Sequence, residues 1–386
     1  MKLASRMGRL GTETAFEVLA RARQLEAEGR SVIHLEIGEP DFDTPAHVVD
    51  AGVKALRDGF THYGPSPGLP ALREAVVERV QRKHGLACGV ENVVVTPGAK
   101  PIMFFALLAL AEEGDEVLYP NPGFPIYESM IRFAGARPVA VRLDEERGFS
   151  LDVGALEGLL NERTRMLILN SPQNPTGGTL TKEDVAQLVD LLRRHPQVVV
   201  LSDEVYSELV YDGEHASVLH HEGMAERTIL LDGFSKTYAM TGWRLGYGVM
   251  PAPLAAQVAK LQTNSTSCTA SFTQMAGIAA LRGDQGPVRA MLESFRRRRD
   301  AIVDGLGEIP GFRCTRPRGA FYVFPNVEGT GLAAKELQVR LLEEAGVACL
   351  AGTAFGEHGK GYLRFSYAAS LDDIHEALRR IRTLLG

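Results

Sequence analysis

The chain has 386 residues, of which 45% are hydrophobic and 23% charged, with a formal charge of −6 and a pI near 6.0. That length supports a large core and two unequal domains, and the acidic balance excludes the basic footprint of a nucleic-acid-binding protein. The longest apolar stretch, Ile102 to Ala111, runs for about ten residues. It suits a buried helix and is too short to cross a bilayer.

In chain order, Lys2, Arg6 and Arg9 are not followed by an apolar segment, so no secretory signal is expected and a cytoplasmic location follows. Helical periodicity marks Ala15–Glu28, Pro70–His84, Lys100–Glu112, Lys182–Arg194 and Pro251–Leu281. Between them lie strand-like runs at Asn92–Thr96, Glu116–Tyr119, Pro138–Leu143, Met166–Asn170, Val198–Ser202, Ile229–Leu231 and Leu245–Met250. Several are Val- and Ile-rich without alternation, as expected of strands covered on both faces. Strand and helix in repetition predict an α/β domain with a mostly parallel seven-stranded sheet flanked by helices.

The last hundred residues predict a smaller α+β domain, with helices near Pro287–Gly305 and Leu371–Leu385 and strands near Ala320–Phe324 and Tyr362–Phe365. We divide the chain into an N-terminal arm with part of the small domain (1–45), a large domain (46–285) and a small C-terminal domain (286–386), with the site between the domains. The basic run Arg296–Arg299, with Glu293 and Asp300 beside it, reads as a solvated helix face. Cys88, Cys268, Cys314 and Cys349 show no metal-binding spacing, so reduced thiols and no metal site are expected.

Several strands end in residues with chemistry to offer. Thr96–Pro97–Gly98–Ala99–Lys100 closes one strand and opens a helix, whose free N–H groups suit a phosphate. Phe124 follows the next strand in Pro120–Asn121–Pro122–Gly123–Phe124–Pro125, where a core role is equally open. Asn170–Ser171–Pro172–Gln173–Asn174–Pro175–Thr176–Gly177 reads by itself as a loop. Asp203, in Ser202–Asp203–Glu204–Val205–Tyr206, either caps a helix or points into a ligand crevice. Lys236 beside Ser235 follows the run Thr228–Leu231, and Arg244 precedes Leu245–Met250. A Lys at a strand's end can form a Schiff base, and an Arg with a hydroxyl can hold a phosphate. Arg364 enters an apolar strand with no acid near it in sequence, so a ligand carboxylate is its natural partner.

The segment Gly233–Gly246, GFSKTYAMTGWRLG, resembles the lysine-attachment signature of class I/II aminotransferases, with Gly233, Ser235, Lys236, Gly242, Arg244 and Gly246 in register. The resemblance extends from about Arg6 to Leu385 and implies a fold-type I pyridoxal phosphate enzyme. It implies that Lys236 carries the cofactor and serves as general base, and that Asp203 keeps the pyridine nitrogen protonated. At about 4 Å and an effective dielectric near 20, that last attraction is roughly 4 kcal/mol. Asn174 and Tyr206 are implied to meet the ring hydroxyl oxygen, and Phe124 to lie over the ring. Gly98, Ala99 and Lys100 (the last through its backbone N–H, its side chain being read as a surface one), Ser235 and Arg244 would cup the phosphate. Arg364, the Gly38 N–H and Asn174 would take the substrate carboxylate. Tyr63, a surface turn if read alone, would reach the phosphate of a neighbouring subunit and so implies a homodimer with shared sites.

The reaction expected is amino transfer between an L-amino acid and a 2-oxo acid by a ping-pong route. A C–S β-lyase or related synthase uses the same Lys, Asp and Arg set and is the alternative. The donor side chain stays open, since no second cation is assigned to a distal carboxylate. The stretch Arg9–Phe16 is expected to line the side-chain pocket, where Arg6, Arg9 or Arg21 could swing in.

Overall fold

Continuous apolar runs become the strands of one seven-stranded sheet in the computed structural model, which describes residues 1–386. Across the sheet they lie in the order Val93–Thr96, Gly246–Val249, Thr228–Gly233, Val199–Asp203, Thr164–Asn170, Glu116–Asn121, Arg137–Arg142. Gly246–Val249 runs antiparallel to both neighbours, and the remaining pairings are parallel. Each expected strand is present, with ends moved by at most two residues.

Both faces are covered, which explains the unbroken apolar runs. On one face Val94, Ile229 and Leu231 pack with Ile102, Met103 and Phe105 of helix Lys100–Leu110. On the other, Val93, Val95 and Leu230 pack with Leu72 and Val76 of helix Pro70–His84. Successive residues thus face opposite helical layers, as the two-residue period of a strand requires. Local signals set the helix ends: Pro70 sits at the first turn of its helix, which Gly85 terminates at φ +65°. Thr181 and Asp184 form a capping box at the start of Lys182–Arg193.

The stretch expected as one helix over Pro251–Leu281 is two, Ala252–Thr266 and Ser271–Arg282. The break falls at Ser267, whose φ is +63°, and the Thr269 hydroxyl donates to the Val95 carbonyl at 3.3 Å. Ser and Thr side chains offer the backbone such alternatives to helix, which is why the run Ser265–Thr269 cannot continue one.

The C-terminal part packs helices Gly286–Gly307, Ala334–Glu343 and Leu371–Leu385 around the short antiparallel strands Leu350–Ala351, Leu363–Ser366 and Tyr322–Val323. The N-terminal helix Ala15–Ala27 joins it through Arg21, which donates to both oxygens of Glu343 at 2.6 and 2.8 Å. The basic run differs from expectation. Arg298 and Arg299 are buried. Arg298 grips Asp41 at 2.6 and 2.9 Å and lies over Phe42 and Phe295. Arg299 donates to Asp212 at 2.5 Å. Long-range acids, invisible in the local sequence, draw these two charges inward.

Candidate active site

Because the parallel strands point one way, Asn170, Asp203 and Gly233 end them on one edge of the sheet. The reversed strand starts at that same edge, which brings Arg244 there too. The result is a cleft of about 370 Å³ between the sheet edge and the C-terminal part. Lys236, Ser235, Asp203, Tyr206, Asn174, Phe124, Ala99, Lys100, Arg244, Gly38 and Arg364 all line it.

The Lys236 amine donates to the Gly38 carbonyl at 2.5 Å. Burial pulls its pKa down to about 8; Glu39 opposes the fall and Arg364 adds to it. Asp203 accepts from the Tyr127 hydroxyl at 2.6 Å and from the Val205 N–H at 3.4 Å. Burial pushes its carboxyl up to about 6 despite these donors, and Asp232 and Glu204 push the same way. Tyr206 shares a 2.8 Å hydrogen bond with Tyr322. Burial holds the Tyr206 hydroxyl well above its usual range, so it stays a protonated donor.

At one end of the cleft, helix Lys100–Leu110 begins against the loop that carries Ser235 and Arg244. Gly98 has φ +80°, and a Cβ there would strike the Arg244 guanidinium. Only glycine permits both the turn and that approach. Arg244 donates to the Thr241 carbonyl at 2.8 Å. The Lys100 amine is exposed, as expected, but it is not idle: it pairs with Glu13 and lies 5.1 Å above the Phe124 ring.

Towards the other end, Arg364 is buried with Tyr322 and Phe355 rings against its guanidinium at 4.6 and 4.8 Å. It donates to Asn174 Oδ1 at 3.1 Å and to the Glu36 carbonyl, and its Nε has no partner. A buried cation held only by neutral oxygens is costly unless an anion joins it. Gly38 sits so close to the Tyr322 hydroxyl that a Cβ would overlap it.

The sequence profile described as Aminotransferase class I and II matches residues 30–381. The aspartate aminotransferase of Pyrococcus horikoshii is 42% identical over 96% of this chain and 93% of its own. Aromatic-amino-acid aminotransferase 2 of Thermococcus litoralis is 40% identical over 92% of each. The solved structure of the aspartate aminotransferase from Rhizobium meliloti superposes with a TM-score of 0.95 and 38% identity, covering 100% of this chain and 99% of that one. The chain belongs to the class I and II aminotransferases. It is a pyridoxal phosphate-dependent enzyme of amino-group transfer, and nothing among these relatives favours the lyase alternative.

The residues of this aminotransferase fit its cofactor. Asp203 is a buried carboxylate with no cation beside it, the partner a protonated ring nitrogen lacks. The glycine turn at Gly98 lets the Arg244 guanidinium close in, and Arg244 lines the cleft with Ala99, Lys100 and Ser235, a donor set that suits a phosphate. Tyr63 stands apart: it is 91% exposed and does not line the cleft of its own chain. Arg6, Arg9 and Arg21 do not line it either, and Arg21 is committed to Glu343. From the N-terminal stretch, Glu13, Thr14, Ala15 and Phe16 reach the cleft.

Sequence reasoning missed Tyr127 and Tyr322; Glu13 lay in the stretch expected to line the pocket, but its pairing with Lys100 was not foreseen. Tyr127 lies three residues past Phe124 in the unforeseen helix Ile126–Ala134. Its position beside a proline-rich strand end was the available signal. Tyr322 lies in a run of apolar neighbours, where nothing sets it apart from a core aromatic.

Proposed function

We propose that this aminotransferase exchanges amino groups with Lys236 as cofactor anchor and proton carrier, and Arg364 as the clamp on the substrate α-carboxylate. The observation that carries the reading is the pairing of these two in one cleft: an amine pulled towards neutrality and a buried guanidinium without an acid. Pyridoxal phosphate, when bound, supplies an aldehyde carbon to capture amines and an electron-withdrawing ring that acidifies the substrate Cα–H.

The protein does the rest. Arg364 and Asn174 orient the substrate, and the flat guanidinium suits a bidentate carboxylate. The Gly38 N–H adds a donor to the same carboxylate. Tyr206 and Asn174 donate towards the ring oxygen. Asp203 holds the ring nitrogen's proton, and Phe124 covers the ring face. The N–H groups of Gly98, Ala99 and Lys100, the Ser235 hydroxyl and Arg244 take the phosphate. Lys236 Nζ would take the proton from the substrate Cα and pass it to the former aldehyde carbon of the cofactor, with the reverse transfer in the second half-reaction, so one amine serves both. A neutral amine is needed for that step, and burial of Lys236 favours it.

The fully exposed Tyr63 ring fits a second copy of the chain better than solvent, and we infer a homodimer in which Tyr63 reaches the neighbour's phosphate. Near-equal identity to enzymes named for aspartate and for aromatic amino acids leaves the donor to the cleft's own residues.

Borohydride reduction of the loaded enzyme followed by peptide mapping should label Lys236. Lys236→Ala should lower turnover by about 10⁴-fold while cofactor still binds noncovalently. Full amino transfer by that variant would overturn the assignment.

A further inference from the structure

Four cations line the cleft: Lys236, Arg244, Arg364 and Lys100. The first three serve the cofactor and the α-carboxylate in the proposed mechanism. Lys100 is the one left to meet a second carboxylate on the substrate side chain. Its amine is already taken, because Glu13 closes an ion pair with it. That acid is 20% exposed against 50% for the lysine, so Glu13 is the more deeply set partner. Its charge is felt inside the cleft, where it favours the protonated forms of both Lys236 and Arg364. Glu13 is also held in place. The Gly11 N–H donates to the Ser129 hydroxyl at 2.8 Å, and helix Ala15–Ala27 begins directly after Thr14. Apolar groups stand beside the pair, with Phe124 beneath the amine and Met103 one turn beyond Lys100 lining the same cleft, while Thr14, Ala15 and Phe16 follow Glu13 along it.

We propose that Glu13 is a resident counter-ion that selects against dicarboxylic substrates and favours amino acids with uncharged side chains. This rests on the assignment of Arg364 to the α-carboxylate. A second carboxylate reaching Lys100 must displace Glu13 and leave it unpaired in the cleft, beside a like charge. An uncharged side chain meets a neutral pair and apolar walls, and displaces nothing.

The test is the first half-reaction of the loaded enzyme, followed by stopped-flow absorbance without an acceptor. L-Leucine and L-phenylalanine should react with higher kcat/KM than L-aspartate in the unaltered enzyme. Glu13→Gln should raise kcat/KM for L-aspartate relative to L-leucine on the order of tenfold, and Glu13→Asp should restore most of the original ratio. A purely structural pair would change both donors by the same factor, and that result would overturn the proposal, as would a wild-type preference for L-aspartate. Inhibition of the unaltered enzyme gives a reading that needs no variant: succinate should bind more weakly than butyrate, and the reverse order refutes the role of Glu13. If no amino acid of either kind alters the absorbance, the fault lies with the Lys236 and Arg364 assignments, not with Glu13.

Discussion

Two sets of buried charges in this chain follow opposite rules. Arg298 and Arg299, in helix Gly286–Gly307, each face an acid and cover aromatic rings. Arg364 and Asp203 are as deeply set, yet neither has an oppositely charged partner within the protein. The first set is complete in the folded chain. The second is complete only when a ligand brings the missing charge. Burial is alike in the two sets, so the absent partner is what marks a site.

Substitutions sharpen that contrast. Arg364→Leu should lower kcat/KM for every amino donor by roughly 10²–10³-fold, because the carboxylate loses its charged fork. Its cofactor-free stability should hold or rise, since an unpaired buried cation is removed. Equal losses of stability and activity would break the comparison.

Asp203→Asn is the anionic counterpart. Burial raises the Asp203 carboxyl from 3.8 to about 6, so the folded chain binds more protons than the unfolded one between those values. Stability therefore falls as pH climbs through that window, and the full penalty remains above it. Thermal melts of the cofactor-free protein should show the Asn variant more stable at pH 8 by about 2–3 kcal/mol. The difference should vanish below about pH 4, where both states hold the proton. Loaded with cofactor, the order should reverse in activity.

Arg298→Leu should do the opposite of Arg364→Leu and have the smallest effect. It strands Asp41, which is partly solvated, and strips a cation from two rings, for a loss of about 1–2 kcal/mol in urea melts with little change in KM.

The same contrast explains what could be read from the chain alone. Lys236, Asp203, Asn174 and Gly98 follow unbroken Val- and Ile-rich strands, so their place at the sheet edge was legible from pattern. Arg364 was legible because no acid stands near it in sequence. Arg298 and Arg299 misled for the converse reason: Glu293 and Asp300 beside them suggested a solvated face, while the deciding acids, Asp41 and Asp212, lie far along the chain. Tyr127 and the pairing of Glu13 with Lys100 escaped notice because they depend on contacts, to Asp203 and to Lys100, that only tertiary structure creates. The helix break at Ser267 was hidden too, since it answers to the carbonyl of Val95.

The antiparallel strand Gly246–Val249 has one last effect. Gly233 faces Gly246 across the ladder, and the Phe234 N–H donates to the Leu245 carbonyl at 3.2 Å, so residues 234–245 form a loop clasped at its neck. Ser235, Lys236 and Arg244 all hang from that single clasp. Under the proposed assignments the covalent tether at Lys236 and the ionic one at Arg244 share a mechanical mount, which would still grip the ionic end when the covalent one is released during turnover.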